Sequence, residues 1–277
     1  MRLLLSALIA ASLLSSATGA AAQERRASHC IALAAGAPGL QHLQPASWQA
    51  PVAAHHLRIR YLGHASFLLQ TEDGLGIVTD YTGFTGTAPL IPDVVTMNHA
   101  HETHWTAHPD PAIPHVLRGW GPFGEGIQHH LDLGGVLIRN VSTDIRSRFG
   151  GVEPLGNSIF VFESAGLCIG HLGHLHHVPT PAQYAALGRM DVVMAAVDGG
   201  TTLPLDQMME VLIRLRASVV IPMHWFGDYT LQRFLSEAGE VFPVVDEGVS
   251  ELELSLRSLP ERPQIVVLRP RYLGAEE

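Results

Sequence analysis

The sequence predicts an α+β fold in which two mixed β-sheets lie face to face and are flanked by helices. Three observations predict it. From residue 57 the chain runs through short apolar or alternating segments separated by turn residues. From about residue 180 such segments alternate with amphipathic helical patterns. The third is size: with 47% hydrophobic residues, a chain of 277 residues buries one sizeable core and does not read as disordered. Strands first, then strand–helix alternation, give two sheets layered between helices.

The chain opens "MRLLLSALIAASLLSSATGAAAQERR". A basic residue, an apolar run and a small-residue stretch form the pattern of a secretory signal peptide over residues 1–22. The apolar run is about a dozen residues, shorter than the ~20 that span a bilayer. Cleavage after Ala20 or Ala22 is expected, leaving a periplasmic or secreted chain with no membrane insertion. Residues 23–55 have no clear period and read as an extension on a domain spanning 56–277.

The elements follow in order. "LRIRYLG", "ASFLLQT" and "LGIVTDY" are expected as a three-strand meander, with "EDG" as the second turn. "PDVVTMN" is a fourth strand, and "HVLRGW" a strand running into a glycine turn. "GVLIRNVS", "SIFVFES" and "GLCIGHLG" are strands, the last two joined by "SAG". "TPAQYAALG" is a helix with Thr180 as cap, Pro181 in its first turn and Gly188 at its end. "MDVVMAAV", "ASVVIPMHW" and "PQIVVLRP" are strands, with "PLDQMMEVLIRLR" and "LQRFLSEAG" as helices.

A formal net charge of −9 disfavours nucleic acid and anionic membranes, which repel a negative body. A small-molecule substrate is the expected partner. The two cysteines are Cys30 and Cys168. Their parity suits a disulfide in an exported protein. The alternative is a buried thiol at Cys168, inside "GLCIG", with a free one at Cys30. Sequence leaves both open, because it does not show the distance between the two Cα atoms.

Of 17 histidines, eight occupy three places: "NHAHETHW" (His99, His101, His104), "HLGHLHH" (His171, His174, His176, His177) and His224 in "IPMHW". Each place follows or ends an apolar strand, where open sheets present ligand-binding groups. Imidazole suits zinc, copper, iron and nickel, so metal binding is expected. "HETH" is not the helical H-E-x-x-H of zinc proteases, because His101 and His104 are three apart and leave a strand.

In order and spacing, "RYLGHASFLLQTEDGLGIVTDY", "PDVVTMNHAHETHW", "GLCIGHLGHLHH" and "SVVIPMHW" resemble the metallo-β-lactamase superfamily. They are most similar to its branch of metal-dependent hydrolases that includes ascorbate-phosphate lactonase. The resemblance runs from about His56 to the C-terminus and implies an αββα sandwich. It assigns His99, His101 and His104 to the H-x-H-x-D-H signature and His224 to the last ligand. Asp80 is implied to orient the signature loop, His64 and His171 to lie near the site, and His177 to match a flanking histidine. Three departures stand out. Thr103 replaces the signature aspartate, His174 replaces the bridging one, and "VSTDIRSRFGG" lacks the middle histidine, offering Thr143 or Asp144.

The expected site is therefore one ion, zinc with iron or manganese as alternatives, held by three or four ligands drawn from His99, His101, His104, His174 and His224, with the subset left open by the sequence. Loss of the carboxylates removes what keeps two divalent ions together. His177 is expected to move protons and Asp144 to orient water, with His176, Glu102 and Asp198 as alternatives. Asp198 also suits a turn before Gly199-Gly200. The expected activity is hydrolysis of an ester, lactone or phosphoester. A non-catalytic metal-binding or sensory protein, or redox chemistry at iron, are the competing readings.

Overall fold

A computed structural model describes residues 25–31, 47–99, 101–147 and 150–274. The expected signal peptide, residues 1–22, lies outside the described residues, as does most of the extension. The first sheet contains β1 (Leu57–Gly63), β2 (Ser66–Thr71), β3 (Gly76–Val78), β4 (Val94–Met97), β5 (His115–Arg118) and β13 (Glu251–Leu254), in the order β13-β1-β2-β3-β4-β5. The second contains β6 (His130–Asp132), β7 (Leu137–Arg146), β8 (Val152–Ser164), β9 (Leu167–His171), β10 (Val192–Ala196), β11 (Val219–Met223), β12 (Val244–Val245) and β14 (Gln264–Val266), ordered β12-β14-β11-β10-β9-β8-β7-β6. Both are mixed: β1–β3 form the expected antiparallel meander and β3-β4-β5 run parallel, while β9 to β11 run parallel beside the antiparallel β6–β9.

Apolar side chains place the layers. Leu57, Ile59 and Phe67 of the first sheet meet Phe160, Ile169, Val192 and Ile221 of the second in one buried cluster between the sheets. Helices α1 (Pro181–Leu187), α2 (Leu205–Leu215) and α3 (Asp228–Ala238) put Leu187, Met208, Val211, Leu231 and Phe234 onto the other face of the second sheet. Trp48, Tyr81, Ala88, Ile113 and Leu273 cover the outer face of the first sheet from loops. Helix α1 starts as the sequence expects: Thr180 accepts from the Gln183 N–H, and the Gln183 side chain returns the bond to the Thr180 N–H. No helix among the described residues is long and apolar enough to cross a membrane.

Cys30 and Cys168 are joined by a disulfide, with Cα atoms 5.8 Å apart. The thiol alternative is thus excluded in the structure. Around the bond, His29 N–H and Ser28 donate to Glu163, and Arg189 N–H donates to the Cys30 carbonyl at 2.8 Å. Gly188 permits this approach: a Cβ there would meet the Cys30 carbonyl oxygen at 2.4 Å.

Strand β3 is shorter than "LGIVTDY" suggested. The chain bends at Asp80, whose φ of +42° lies in the left-handed region, and beyond the bend Tyr81 N–H still donates to the Thr96 carbonyl of β4 at 3.0 Å. That bend sends the Asp80 carboxylate toward the histidines.

Candidate metal centre

The histidines gather where strands end. His64 lies in the β1–β2 turn, His101 and His104 follow β4, His174 follows β9, and His224 follows β11. One ring nitrogen from each of His64, His101, His104 and His224 falls in a group whose atoms all lie within 4.8 Å of one another. The His174 ring joins it, with its centroid 4.9 Å from that of His104 and 4.8 Å from that of His224.

Two of these imidazoles are held by buried carboxylates. His104 Nδ1 lies 2.5 Å from Asp80 Oδ2, and His224 Nδ1 lies 3.1 Å from Asp198 Oδ1. Burial alone would raise both acids. For Asp80 the His171 and His104 rings, with Asn98, outweigh it and hold the carboxyl below its usual range. For Asp198 the hydrogen bonds from His224, Thr202 and Thr201 do the same. An ionised carboxylate only accepts, so each Nδ1 carries the proton and each Nε2 keeps a lone pair. Both Nε2 atoms are buried with no hydrogen-bond partner. A buried polar atom without a partner is costly, and carboxylate–imidazole pairs of this kind are how metal-binding histidines are oriented. The residues fit a cation.

The backbone agrees. Seven non-glycine residues among those described have positive φ, and three of them are His64 (+55°), Asp80 (+42°) and His224 (+59°). Such strain persists where surrounding structure enforces it, and it concentrates at functional sites. Here His224 N–H donates to the His64 carbonyl at 2.6 Å, which also accepts from Tyr61 Oη at 2.8 Å.

The other half of the site is wired through neutral groups. Thr103 Oγ1 lies 2.7 Å from His101 Nδ1 and 2.8 Å from His64 Nε2. His101 Nε2 is 3.0 Å from His174 Nε2, and His174 Nδ1 is 2.7 Å from His176 Nε2. Burial and the surrounding imidazoles push His174 far down and His64 down to about 3. Burial and Arg146 push His176 down to about 4.

A model of the β-lactamase superfamily domain matches residues 58–224, from β1 to the last imidazole of the group. The chain belongs to the metallo-β-lactamase superfamily. A UPF0173 metal-dependent hydrolase of Nanoarchaeum equitans is 24% identical over 185 residues, covering 61% of this chain and 84% of that protein. A Thermotoga maritima structure, described as a Zn-dependent hydrolase of the superfamily, is 30% identical with a TM-score of 0.55, covering 76% of this chain and 98% of that one. Igni18, a metallo hydrolase of Ignicoccus hospitalis, shares the fold at 18% identity and a TM-score of 0.52, over 78% of this chain and 96% of its own.

Against the superfamily signature, several expected residues sit elsewhere. His99 lies outside the imidazole group, with Nδ1 3.3 Å from Glu153 Oε1 and its ring stacked 4.8 Å from Trp120. The imidazole that would share an ion with it is missing. Thr143 stands in that region instead and accepts from Asn157 Nδ2 at 2.8 Å. Asp144 braces the β7–β8 bulge, accepting from Leu155 N–H at 2.9 Å, so one of its oxygens is already engaged there. His177 is half-buried, and it is His176 that reaches His174. His171 supports from behind, with Nε2 donating to the Ala65 carbonyl and Nδ1 accepting from Gly173 N–H. Asp198 combines both sequence readings: it accepts from the Gly200 and Thr201 amides and holds His224.

Sequence reasoning missed the asparagine brackets. Asn98 donates to Asp80 and accepts from Ser158 N–H, and Asn157 accepts from His174 N–H at 2.9 Å. Asn98 at a strand end and "GNS" opening another were the available signals.

Proposed function

We propose that this protein is an exported metal-dependent hydrolase that holds one divalent ion, zinc before iron or manganese, and acts on a small ester, lactone or phosphoester. One observation carries the reading: His104 and His224 each aim a buried, unpartnered Nε2 from a ring whose Nδ1 rests on a buried carboxylate. Relatives named as metal-dependent or Zn-dependent hydrolases support the reaction class. Charge supports the count. Asp80 and Asp198 are the buried carboxylates at the site, and their two negative charges balance one divalent ion. A second ion would lack both the bridging carboxylate, replaced by His174, and the terminal one, replaced by Thr103.

A divalent ion at such a site supplies a Lewis acid that polarises a substrate oxygen and makes water more acidic. The chain's own residues do the rest. Asp80 and Asp198 fix ring orientation and tautomer, and the neutral His64 and His174 add no positive charge that would repel a cation. Phe226, 59% exposed, lies beside the His64 and His224 rings and offers an apolar face to a substrate. Export rests on the signal-like residues 1–22, and the Cys30–Cys168 disulfide suits an oxidising compartment.

The test is turnover. Tag-free protein loaded with zinc, iron or manganese is to be assayed against panels of esters, lactones and phosphoesters. Metal-dependent turnover of one class is expected and should vanish on chelation. Tightly bound metal with no turnover across the panel would make the protein a non-catalytic metal binder.

A further inference from the structure

We infer that a single backbone amide, the N–H of Arg146, fixes the tautomers of three imidazoles and makes His174 a hydrogen-bond donor to His101 instead of a metal ligand. This deepens the one-ion reading, on which its metal half rests.

Most hydrogens in a histidine cluster can move, but an amide hydrogen stays on its nitrogen. Arg146 N–H donates to His176 Nδ1 over 2.6 Å. That ring nitrogen therefore carries no proton, and the ring holds its one proton on Nε2. His174 Nδ1, 2.7 Å away, must accept it. His174 then keeps its own proton on Nε2, which faces His101 Nε2 at 3.0 Å. That nitrogen accepts in turn, so the His101 proton sits on Nδ1, 2.7 Å from Thr103 Oγ1. Within the series each assignment follows from the one before, with the Thr201 carbonyl as a further acceptor beside the His176 ring. An imidazolium anywhere in the series would set two hydrogens against each other.

The consequence concerns lone pairs. A neutral imidazole binds a cation through its unprotonated nitrogen. His174 uses that nitrogen to accept from His176, and His101 uses it to accept from His174. His104 and His224 are the reverse case: their protons point at carboxylates and their lone pairs are open. His174, at the superfamily's bridging position, is thus a positioning residue. It holds the His101 ring, and through it Thr103, against His64. The series also ends at the amide. With His176 Nδ1 occupied, no proton enters from that side, so the stack sets geometry and does not conduct.

Nitrogen–proton correlation NMR on the full-length, metal-free protein with labelled imidazoles reads the tautomers directly. His176 and His174 are expected as Nε2–H and His101 as Nδ1–H. Loading with a spin-active cadmium isotope should produce metal coupling at Nε2 of His104 and His224 and none at His174. His176→Gln offers a carbonyl to the amide and an NH2 to His174, so it should preserve the pattern. His176→Leu should release it, with His174 moving to Nδ1–H. Wild-type His174 in the Nδ1–H form, cadmium coupling at His174, or an unchanged pattern in His176→Leu would overturn the inference. The expected tautomers in a protein that takes up no cadmium would uphold the amide's role and remove the one-ion reading.

Discussion

His104 and His224 turn Nδ1 to buried carboxylates, whereas His101 and His174 turn their nitrogens to one another, to Thr103 and to His176. The rings are alike and their centroids lie within 6 Å of one another. Their partners make the difference. A carboxylate takes the proton and leaves a lone pair facing inward, while a neighbouring imidazole takes the lone pair itself. Histidine content alone does not define a metal site; what stands behind each ring does.

The largest effects should come from the carboxylate-backed pair. His224→Ala or His104→Ala is expected to weaken zinc binding by more than about 100-fold, and Asp198→Asn or Asp80→Asn by about 10–100-fold, as for partners that orient metal ligands. His99→Ala, whose ring rests on Trp120 and Glu153, should change it by less than about twofold. Calorimetric titration of tag-free protein ranks the variants. Equal losses in His99→Ala and His224→Ala would erase the difference between the halves.

Acid should separate the halves in the metal-free protein. Burial and neighbouring imidazoles hold His64 near 3, while burial and Arg146 hold His176 near 4; both return to about 6.5 when the chain unfolds. The unfolded state therefore binds more protons between about pH 6.5 and pH 4, and stability falls as pH falls through that window. Asp80 and Asp198, held low in the fold, add their loss at more acidic pH. Denaturation midpoints should decline across the upper window first. A flat profile there would mean that the imidazole stack is not neutral as described.

Much of this was legible in the sequence. The succession of most strands and helices along the chain, the meander, the Thr180 cap and the gathering of three histidine groups at strand ends followed from periodicity, turn residues and spacing. Ligand assignment was less so, because it followed a signature whose partners this chain has lost. His99 matches that signature by position, yet without the middle imidazole it turns to Glu153 and Trp120. His64 was expected near the site but not within the ring group, since its place among the rings depends on a left-handed turn and on its carbonyl's bond to His224 N–H. The role of Arg146 was beyond any sequence reading. It is exerted by a backbone amide, which no residue type signals.

Counting metal decides whether one half of the site, or both, binds. Elemental analysis together with native mass spectrometry of tag-free protein, saturated with zinc and then freed of loosely held ions, should give close to one ion per chain. Two tightly held ions per chain would contradict the account, because the imidazole-wired half would then be binding metal without the carboxylates that two adjacent divalent ions require.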